Sequence, residues 1–310
     1  MSANSPVPAV ISVDWGLSSL RCRLVDDGGA IIASRQSSNG VRAIVHRNFR
    51  DALLAEIGSW IEAHRGTPVL LSGMIGSRLG WVEAPYVACP AGLGEIGQAL
   101  LPLDVAGLSR TFIVPGVKFL TPDRADIMRG EECEVLGCLA DPSSQAALYV
   151  APGTHSKWIA VDGDRIASFT TIMTGELFSL LAGASSLAEM VSATSGDDAS
   201  FLEGLNLARQ AATTGGVLPL LFTIRANGVL GRRSPPQSRS LLSGMLIGSE
   251  LAYGLSGHGG SDLLIVGDDQ LADRYQQALS RAFGRPSRRG PSAAAALGHL
   301  AIARHRGLTP

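Results

Sequence analysis

The sequence is poor in cysteine and in long apolar runs, and its net charge is close to zero. Its four cysteines lack CxxC spacing and are sparse for 310 residues, which indicates reduced thiols in the cytoplasm and no structural zinc. No apolar stretch is long enough for a membrane span, and "MSANSPVPAVISV" has no basic segment before its short apolar run. We therefore expect neither a signal peptide nor a membrane segment. The net charge of −1 gives no reason to expect a nucleic acid partner.

A pattern of short strands opens a chain that is long enough for two domains of about 150 residues each. Alternation of apolar and polar residues predicts strands at Val10–Val13, Leu20–Val25 and Ile31–Arg35. The last two are joined by "DDGG", Asp26–Gly29, which is typical of a hairpin turn. The first strand is thus followed by a polar loop and then by a hairpin.

The same order of elements recurs at mid-chain. An apolar strand at Ala147–Ala151 is followed by the polar loop "PGTHS", a strand at Lys157–Val161, a turn at "DGD" and a strand at Arg165–Met173. The two loops are nearly equal in length. This repeat predicts two related α/β domains, each with its own sheet.

Segments with helical spacing of apolar residues fill the intervals. "FRDALLAEIGSWIEAHRG", Phe49–Gly66, ends at a glycine and precedes the buried strand "PVLLSGMIGS". In the second half we predict helices at "GELFSLLAGASSLAEM", "LLSGMLIGSELAYGL" and "DRYQQALSRAF", and a strand with a loop at "DLLIVGDD". The turn residues of "ADPSSQ", Ala140–Gln145, separate a first domain of residues 1–142 from a second of residues 143–310.

The loop after the first strand of each copy is small and rich in hydroxyl groups. Exposed backbone N–H groups in such a loop can bind phosphate oxygens, and Ser18, Ser19, Thr154 and Ser156 can add donors. Neither loop has the GxxxxGK[ST] or GxGxxG pattern. Ordinary turn chemistry explains either loop alone, whereas two facing loops would hold one polyphosphate.

The two copies differ at the residue that ends the first strand. Asp14 precedes Gly16 in the first copy, and Ala151 stands at the matching place in the second. A single carboxylate suffices for a magnesium ion that keeps most of its waters and takes phosphate oxygens as its other ligands. Asp14 is therefore the predicted metal-side residue, the alternative being that "DWG" only ends the strand in a turn.

The stretch "DRADIMRGEECEVLG", Asp123–Gly137, surrounds Arg129 with acidic residues and continues as an amphipathic helix. Glu131 and Glu132 stand in its first turn, where the helix dipole favours carboxylates, so capping is one explanation. A functional explanation is that Gly130 leaves room for a ligand beside Arg129, which could bind a substrate carboxylate through two hydrogen bonds. A nearby acid could then orient or deprotonate a hydroxyl.

The segment "GMIGSRLGWVEAPY", Gly73–Tyr86, follows a buried strand and mixes polar with aromatic residues. The side chains suited to binding hydroxyls or stacking on a ring are Ser77, Arg78, Trp81, Glu83 and Tyr86. A surface loop with one anchoring tryptophan would also fit, but we favour a pocket for a polar substrate.

Six segments together resemble the 2-dehydro-3-deoxygalactonokinases: "VDWGLSSLR", "GMIGSRLGWVEAPY", "IVPGVKF", "DIMRGEE", "APGTHSKWI" and "MTGELFSLL". The weaker "LLSGMLIGSE" and "IVGDD" extend the match towards the C-terminus. The resemblance implies the actin-like ATPase fold of sugar kinases. That fold has two ribonuclease-H-like α/β domains, each with a mixed sheet, and binds ATP with Mg²⁺ in the cleft between them.

The resemblance also implies roles for individual residues. The first phosphate loop would consist of Asp14, Gly16, Ser18, Ser19 and Arg21. The second would consist of Gly153, Thr154, His155 and Ser156, followed by Lys157, one of only two lysines in the sequence. Adenosine would lie near Gly267 and Asp268, with Gly244 on the preceding helix.

The catalytic base is assigned less directly. In related sugar kinases "GDQ" begins a helix and its aspartate is the base, and here "GEE" stands in that place. This indicates Glu131, but a glutamate reaches one methylene further than an aspartate. Asp126, five residues upstream, therefore remains an alternative.

The implied reaction is in-line transfer of the γ-phosphoryl group of ATP to the 6-hydroxyl of 2-dehydro-3-deoxy-D-galactonate. Arg78 or Arg129 would hold the carboxylate of this sugar acid. The alternatives are another sugar or sugar-acid kinase of the same fold, such as one for 2-keto-3-deoxygluconate, and a non-enzymatic nucleotide-binding module. A ribonuclease-H-like nuclease would need several acids around two metals, and Ala151 supplies none. The oligomeric state stays open, a homodimer being compatible with the sequence.

Overall fold

The computed structural model describes residues 6–309, and the chain divides into two compact units. The first unit comprises Met1–Gln145, Ile159–Phe169 and Gly290–Pro310, and the second comprises Ala146–Trp158 and Thr170–Arg289. The start of the N-terminal segment considered above, residues 1–5, lies outside the described residues. Within residues 6–309, no helix combines the length and the apolar character needed to cross a membrane.

The described residues form fourteen strands and nine α-helices. The strands are β1 (Pro8–Trp15), β2 (Leu20–Asp26), β3 (Ile31–Ser37), β4 (Val69–Gly73), β5 (Tyr86–Ala88), β6 (Leu101–Val105), β7 (Leu108–Ile113), β8 (Gly116–Thr121), β9 (Arg124–Met128), β10 (Leu148–Ala151), β11 (Ser156–Asp162), β12 (Arg165–Ile172), β13 (Leu263–Ile265) and β14 (Arg288–Arg289). The helices are α1 (Phe49–Ala63), α2 (Leu93–Gln98), α3 (Glu131–Leu139), α4 (Thr174–Ala184), α5 (Asp198–Ala211), α6 (Leu218–Val229), α7 (Pro235–Ser256), α8 (Asp269–Phe283) and α9 (Ala294–His305).

The first unit is built on a mixed sheet with the strand order β3-β2-β1-β4-β7-β6. β1 runs antiparallel to β2 and parallel to β4 and lies in the middle of the sheet. All five residues of β4 are buried, as expected for a strand covered on both faces. On one face, α1 packs against the sheet through Phe49, Leu53, Ile57 and Trp60, which recur at helical spacing. A smaller sheet, in the order β5-β8-β9, leads into α3.

The larger sheet of the second half has the order β12-β11-β10-β13-β14. In both sheets the first strand lies inside the sheet, with the two strands that follow it on one side and later strands on the other, three in the first sheet and two in the second. The predicted repeat of strand, loop and hairpin is therefore confirmed, as are the predicted strands, whose ends move by a few residues. One core cluster lies between the strands of this sheet and α5, α7 and α8, and a second lies among α4, α5, α6 and α7.

The C-terminal segment belongs to the first unit, which the predicted division into residues 1–142 and 143–310 did not anticipate. The physical reason is a close crossing of α3 and α9. A Cβ atom added to Gly137 would overlap the carbonyl oxygen of Ala294, and one added to Gly298 would overlap that of Cys133. Because neither glycine has a side chain, the two helix backbones touch and α9 also packs on β1.

Two predicted helices differ in extent. The helix predicted at "GELFSLLAGASSLAEM" ends at Ala184, because the hydroxyl of Ser185 donates to Leu181 O and accepts from Leu187 N. A short 3₁₀ helix follows at Ala188–Val191. The predicted amphipathic helix within Asp123–Gly137 is preceded by β9, and α3 itself is buried on most sides.

A histidine lies buried where α9 packs on β1. His299 has no exposed surface, and its Nδ1 lies 2.7 Å from the hydroxyl of Ser12. Burial lowers the pKa of His299 from 6.5 to about 3. The folded chain therefore holds this imidazole neutral across the pH range in which the unfolded chain protonates it.

We expect this histidine to make folding sensitive to acid. Below pH 6.5 the unfolded state takes up a proton that the folded state does not bind until about pH 3, so stability falls as the pH falls through that interval. Relative to His299→Gln, the wild-type free energy of unfolding should decrease by about 1.4 kcal/mol per pH unit. Urea unfolding of both proteins between pH 7 and pH 4 measures the difference. Parallel stability profiles would contradict the expectation.

Candidate active site

Two glycines bring the end of β4 and the start of α3 into contact beside the end of β1. Gly73 has a φ of +84°, and a Cβ added to it would lie 2.9 Å from Trp15 O and 3.5 Å from Asp14 Oδ1. Gly130 has a φ of +115°, and its Cβ would lie 3.3 Å from the Cα of Gly73. Both backbone conformations favour glycine. The room predicted beside Gly130 is thus filled by Gly73, and the N-terminus of α3 is held near Asp14.

Asp14 occupies a polar position on the central strand. It lies opposite Arg21 on β2 and beside Ser72 on β4. Burial raises the pKa of the Asp14 carboxyl, whereas the positive charges of Arg21 and Arg23 lower it. The Nε of Arg21 is 3.6 Å from Asp14 Oδ2, so this arginine provides the nearest compensating charge.

The first turn of α3 carries three more acids. Both carboxylate oxygens of Glu132 accept the amide of Gly130, at 2.9 and 2.8 Å, and Glu131 Oε2 accepts the amide of Arg129 at 3.1 Å. Burial and then the charge of Glu131 raise the pKa of Glu132 to about 8. The pKa of Glu134 also rises to about 8, first through burial and then through the charges of Asp14 and Glu131.

The loop predicted to bind phosphate in the first unit is a tight turn held by the segment that follows β3. The Gly16 amide donates to Ser19 O at 2.9 Å, and Gly16 O and Leu17 O accept amides from residues 41 and 42. A Cβ added to Gly40 would overlap the carbonyl group of Leu17. No hydrogen bond of the described residues uses the amides of Ser18 and Ser19, so these N–H groups are available to an anion.

Asp14 suits the single-carboxylate magnesium site that the sequence predicts. It stands two residues before Gly16 in this loop, and a magnesium ion bound to phosphate oxygens and water requires only one or two protein carboxylates. Residues 6–309 contain no group of three or more histidine, cysteine, aspartate or glutamate side chains that could hold a metal ion.

A cavity of about 320 Å³ lies after β4 in the first unit. Its lining consists of Met74, Ser77, Arg78, Leu79, Glu83, Tyr86 and Ile127. Four of the five residues predicted for a substrate pocket in this segment are therefore brought together. Ser77 and Arg78 already have partners, since the Ser77 hydroxyl donates to Met74 O at 2.7 Å and Arg78 Nε lies 3.1 Å from Glu83 Oε1.

Trp81 does not line this cavity. Its ring stacks on Phe49 with 6.3 Å between centroids, and its amide donates to Ile75 O at 2.8 Å. The side chain packs against the core of the first unit. An anchoring role explains this tryptophan, and the predicted stacking on a substrate is not supported.

Arg129 combines an aromatic contact with unused hydrogen-bond donors. Its guanidinium lies 4.3 Å from the centre of the Tyr86 ring, and Nη2 donates to Ala84 O at 2.8 Å. Nε and Nη1 are buried and have no partner within the described residues. Buried donors of this kind are normally satisfied, and unused guanidinium N–H groups can donate to a carboxylate.

The other candidate base, Asp126, lies on β9. Its carboxylate is 3.1 Å from Arg124 Nη2 and accepts the amide of Ile127 at 2.9 Å. Arg124 also donates to Phe169 O at 2.5 Å. These contacts tie Asp126 to its own strand, whereas Glu131 stands directly after the Gly73–Gly130 contact.

The second predicted phosphate loop is held by the start of α4. A Cβ added to Gly175 would lie 2.5 Å from Gly153 O and 2.8 Å from the Cα of Thr154. The Glu176 amide donates to Thr154 O at 3.0 Å, and the Glu176 carboxylate lies 2.5 Å from His155 Nε2. The loop therefore has a defined backbone path and presents His155, which is half exposed.

Two residues assigned to nucleotide binding are explained by packing. Lys157 is buried, and its Nζ donates to Thr171 Oγ1 on β12 at 2.8 Å. Gly244 is buried in α7, and a Cβ added there would overlap Phe201 O and lie 3.0 Å from the Cα of Gly204 on α5. The predicted contacts of both residues with ATP are therefore not supported.

The segment predicted to lie near adenosine connects β13 to α8. Gly267 has a φ of +98°, which favours glycine. The carboxylate of Asp268 accepts the amide of Leu271 at 3.1 Å and so caps α8. The sharp turn leaves Gly267 partly exposed at the end of the strand.

Sequence reasoning missed several residues that shape these sites. Gly40 supports the first loop, Arg23 compensates Asp14, and Glu134 shares the electrostatic environment of Asp14 and Glu131. No local pattern identifies Gly40, because its contact with Leu17 is formed by tertiary structure. Arg23 and Arg21 alternate on β2 and so share one face, which was a readable signal.

Comparisons with known proteins agree with this geometry. The DGOK family, 2-keto-3-deoxy-galactonokinase, matches residues 14–302. The 2-dehydro-3-deoxygalactonokinase of Escherichia coli (strain K12) is 38% identical over 275 residues, which are 87% of this chain and 88% of that protein.

Solved structures give the same result for the fold. A crystal structure from Sinorhizobium meliloti, provisionally named a 2-dehydro-3-deoxygalactonokinase, superposes with a TM-score of 0.84 at 34% identity, covering 96% of this chain and 98% of that one. The activator of 2-hydroxyisocaproyl-CoA dehydratase from Clostridium difficile, solved with bound ADPNP, has a TM-score of 0.51 at 12% identity and covers 97% and 95%. This second likeness shows the fold alone. The predicted α/β fold with a mixed sheet in each half is confirmed. The chain belongs to the 2-keto-3-deoxy-galactonokinase family and is an ATP-dependent sugar-acid kinase.

Proposed function

We propose that this chain transfers the γ-phosphoryl group of ATP to the 6-hydroxyl of 2-dehydro-3-deoxy-D-galactonate, giving the 6-phosphate and ADP. The substrate is that named for the Escherichia coli relative. The observation that carries the proposal is the contact of Gly73 with Gly130, which holds the start of α3 near Asp14. The cavity after β4 lies in the same unit. The four free cysteines suit a reducing compartment, and we propose that the enzyme acts in the cytoplasm.

Glu131 is the proposed catalytic base. As the hydroxyl oxygen of the sugar acid forms a bond to the γ-phosphorus, the bond from phosphorus to the bridging oxygen of ADP breaks, and the hydroxyl proton passes to the carboxylate. Glu131 is favoured over Asp126 because Asp126 is paired with Arg124 on its own strand. The acceptor would be placed by contacts rather than activated strongly, since phosphoryl transfer depends mainly on positioning and charge neutralisation.

The anionic groups of both substrates require donors. Ser18 and Ser19 offer amides for phosphate in the first unit, and the loop from Gly153 to Ser156 is proposed to do the same in the second. Asp14 would hold Mg²⁺, which supplies charge neutralisation on the transferring phosphoryl group. Arg129, with two unused N–H groups, is proposed to bind the sugar-acid carboxylate.

The proposed function is tested with purified protein by measuring ADP release from MgATP. The acceptors are 2-dehydro-3-deoxygalactonate, 2-keto-3-deoxygluconate, a neutral hexose and none. We expect selective turnover with the galactonate derivative, because an arginine site requires a carboxylate and a shaped pocket can read the C4 hydroxyl. Faster turnover with the gluconate derivative would assign the other sugar acid. Turnover with the neutral hexose alone would contradict the proposal.

Paired substitutions distinguish the two candidate bases. We expect Glu131→Gln to lower kcat by about 10²-fold or more with little change in KM, because the proton acceptor is lost while the side chain keeps its shape. Asp126→Asn should stay within about threefold of wild type. Steady-state kinetics with both substrates provide the measurement. The reverse ranking would make Asp126 the base, and full activity of both variants would place the base elsewhere.

Arginine substitutions test carboxylate binding. We expect Arg129→Lys to raise KM for the sugar acid by about 10- to 100-fold, because lysine keeps the charge but loses the paired N–H groups. KM for ATP should change by less than about twofold. Arg78→Ala separates the second candidate: Arg78 is 86% exposed, so we expect a smaller increase. Equal effects of Arg129→Lys on both substrates would count against carboxylate binding.

A further inference from the structure

A buried carboxylate lies beneath the second phosphate loop, within the second unit. Glu250 is on α7 and is 1% exposed. It accepts hydrogen bonds from Trp158 Nε1 at 3.0 Å, from Tyr275 OH at 2.6 Å and from the Thr174 hydroxyl. The three donors are neutral, and burial raises the pKa of the Glu250 carboxyl.

These donors come from three different elements. Trp158 is on β11, Thr174 begins α4, and Tyr275 is on α8. An apolar side chain of similar size would fill the same space without the cost of removing a carboxylate from water. Filling space therefore does not account for Glu250, whereas joining three elements at one acceptor does.

One branch of this network leads directly to the loop. The Tyr275 hydroxyl donates its only proton to Glu250. The Ser156 hydroxyl oxygen, 3.3 Å from the Tyr275 oxygen, is therefore the donor in the bond between these two groups. The Ser156 oxygen in turn accepts the amide of Gly153 at 3.3 Å. The hydrogen bonds thus run in one direction, from Gly153 through Ser156 and Tyr275 to Glu250. Such chains are cooperative, and this one ends on the Glu250 oxygen that also accepts from Thr174.

A second branch reaches the other side of the loop. Thr174 donates to Glu250 and is followed by Gly175, whose Cα faces the backbone of Gly153 and Thr154. The amide of Glu176 then donates to Thr154 O at 3.0 Å. The same carboxylate therefore holds both the loop and the helix start that packs on it.

We propose that Glu250 is a positioning residue that fixes the second phosphate loop in the conformation that binds ATP, acting through Tyr275, Ser156 and Thr174. The inference rests on the proposed function in assigning this loop to ATP. Amides that are already fixed bind phosphate without ordering the loop at that moment. Loss of the anchor should therefore raise KM for ATP and leave KM for the sugar acid unchanged.

The test compares two tyrosine-to-phenylalanine variants of the full chain. Tyr275→Phe removes the hydroxyl that links Ser156 to Glu250. Tyr149→Phe is the matched control, because Tyr149 is equally buried and its hydroxyl oxygen accepts the Ala146 amide at 3.0 Å, at the start of β10. Steady-state kinetics give KM for each substrate, and hydrogen exchange with mass spectrometry reports on the peptide of residues 152–157.

For Tyr275→Phe we expect a rise in KM for ATP of about 5- to 30-fold, a sugar-acid KM within about twofold of wild type, and faster exchange in residues 152–157. Tyr149→Phe should match wild type in all three. Glu250→Gln should lie between wild type and Tyr275→Phe, because its amide keeps one acceptor oxygen for the three donors. If Tyr275→Phe and Tyr149→Phe are alike in KM and exchange, the network is only structural and the proposal is wrong.

Failure of the proposed function gives a different result. In that case the wild-type protein would show no turnover of ATP with any sugar acid, whatever the exchange data. Faster exchange in Tyr275→Phe than in Tyr149→Phe would still support Glu250 as the anchor of this loop. Equal exchange in the two variants would overturn it.

Discussion

The contact between Gly73 and Gly130 is the constraint on which the first unit's site depends. A Cβ at Gly130 would press on the Cα of Gly73, a Cβ at Gly73 would press on Trp15 O, and both backbones adopt positive φ values. With the contact made, Glu131 begins its helix near the end of β1, where Asp14 stands. A second pair of glycines, Gly137 and Gly298, clamps α3 against α9. The position of α3 is therefore set by backbone contacts at both of its ends, and small shifts are resisted because these contacts have no flexible side chains to absorb them.

Asp14 and the acids of the first turn of α3 repel one another when they are charged, and two features of the structure reduce this repulsion. Arg21 and Arg23 lie on the same sheet face as Asp14 and favour its charged form. Glu132 and Glu134, with pKa values near 8, hold protons at neutral pH instead. Their raised pKa values contribute stability that is complete below the ordinary glutamate pKa and declines as the pH rises towards 8. The neutral form of these two side chains also reduces the repulsion of anionic substrates. Protonation of the two glutamates thus lowers the negative charge of the site without additional arginine residues.

The sequence predicted what depends on local patterns. Alternating residues and turn dipeptides located both copies of the strand, loop and hairpin, and the shared sheet order confirms them. The sequence did not predict that α9 belongs to the first unit, because the close crossing of α3 and α9 at Gly137 is a tertiary contact. Trp81 and Gly244 were assigned to ligands for a related reason. In a polar segment, an aromatic ring can stack on a ligand or on another ring, and a glycine can make room for a ligand or for a neighbouring helix. The folded chain shows Trp81 against the Phe49 ring and Gly244 against α5. The roles of Asp14, Glu131 and Arg129 remain predictions that the geometry supports.

The two predicted phosphate loops stand at matching places in the repeat but are supported by different means. The first is held by backbone hydrogen bonds from the segment after Gly40, and the Asp14 carboxylate, beside Arg21, takes no part in holding it. The second follows Ala151, which is buried and has no polar group to offer. Its support comes instead from the hydroxyl of Ser156 and a chain of donors that ends on Glu250. A duplicated element can thus keep its loop while the contacts that hold the loop change, because an anion bound there would need only the exposed amides. Similarity between the copies predicts where an anion binds, and the differences beneath the loops predict which copy also supplies a carboxylate.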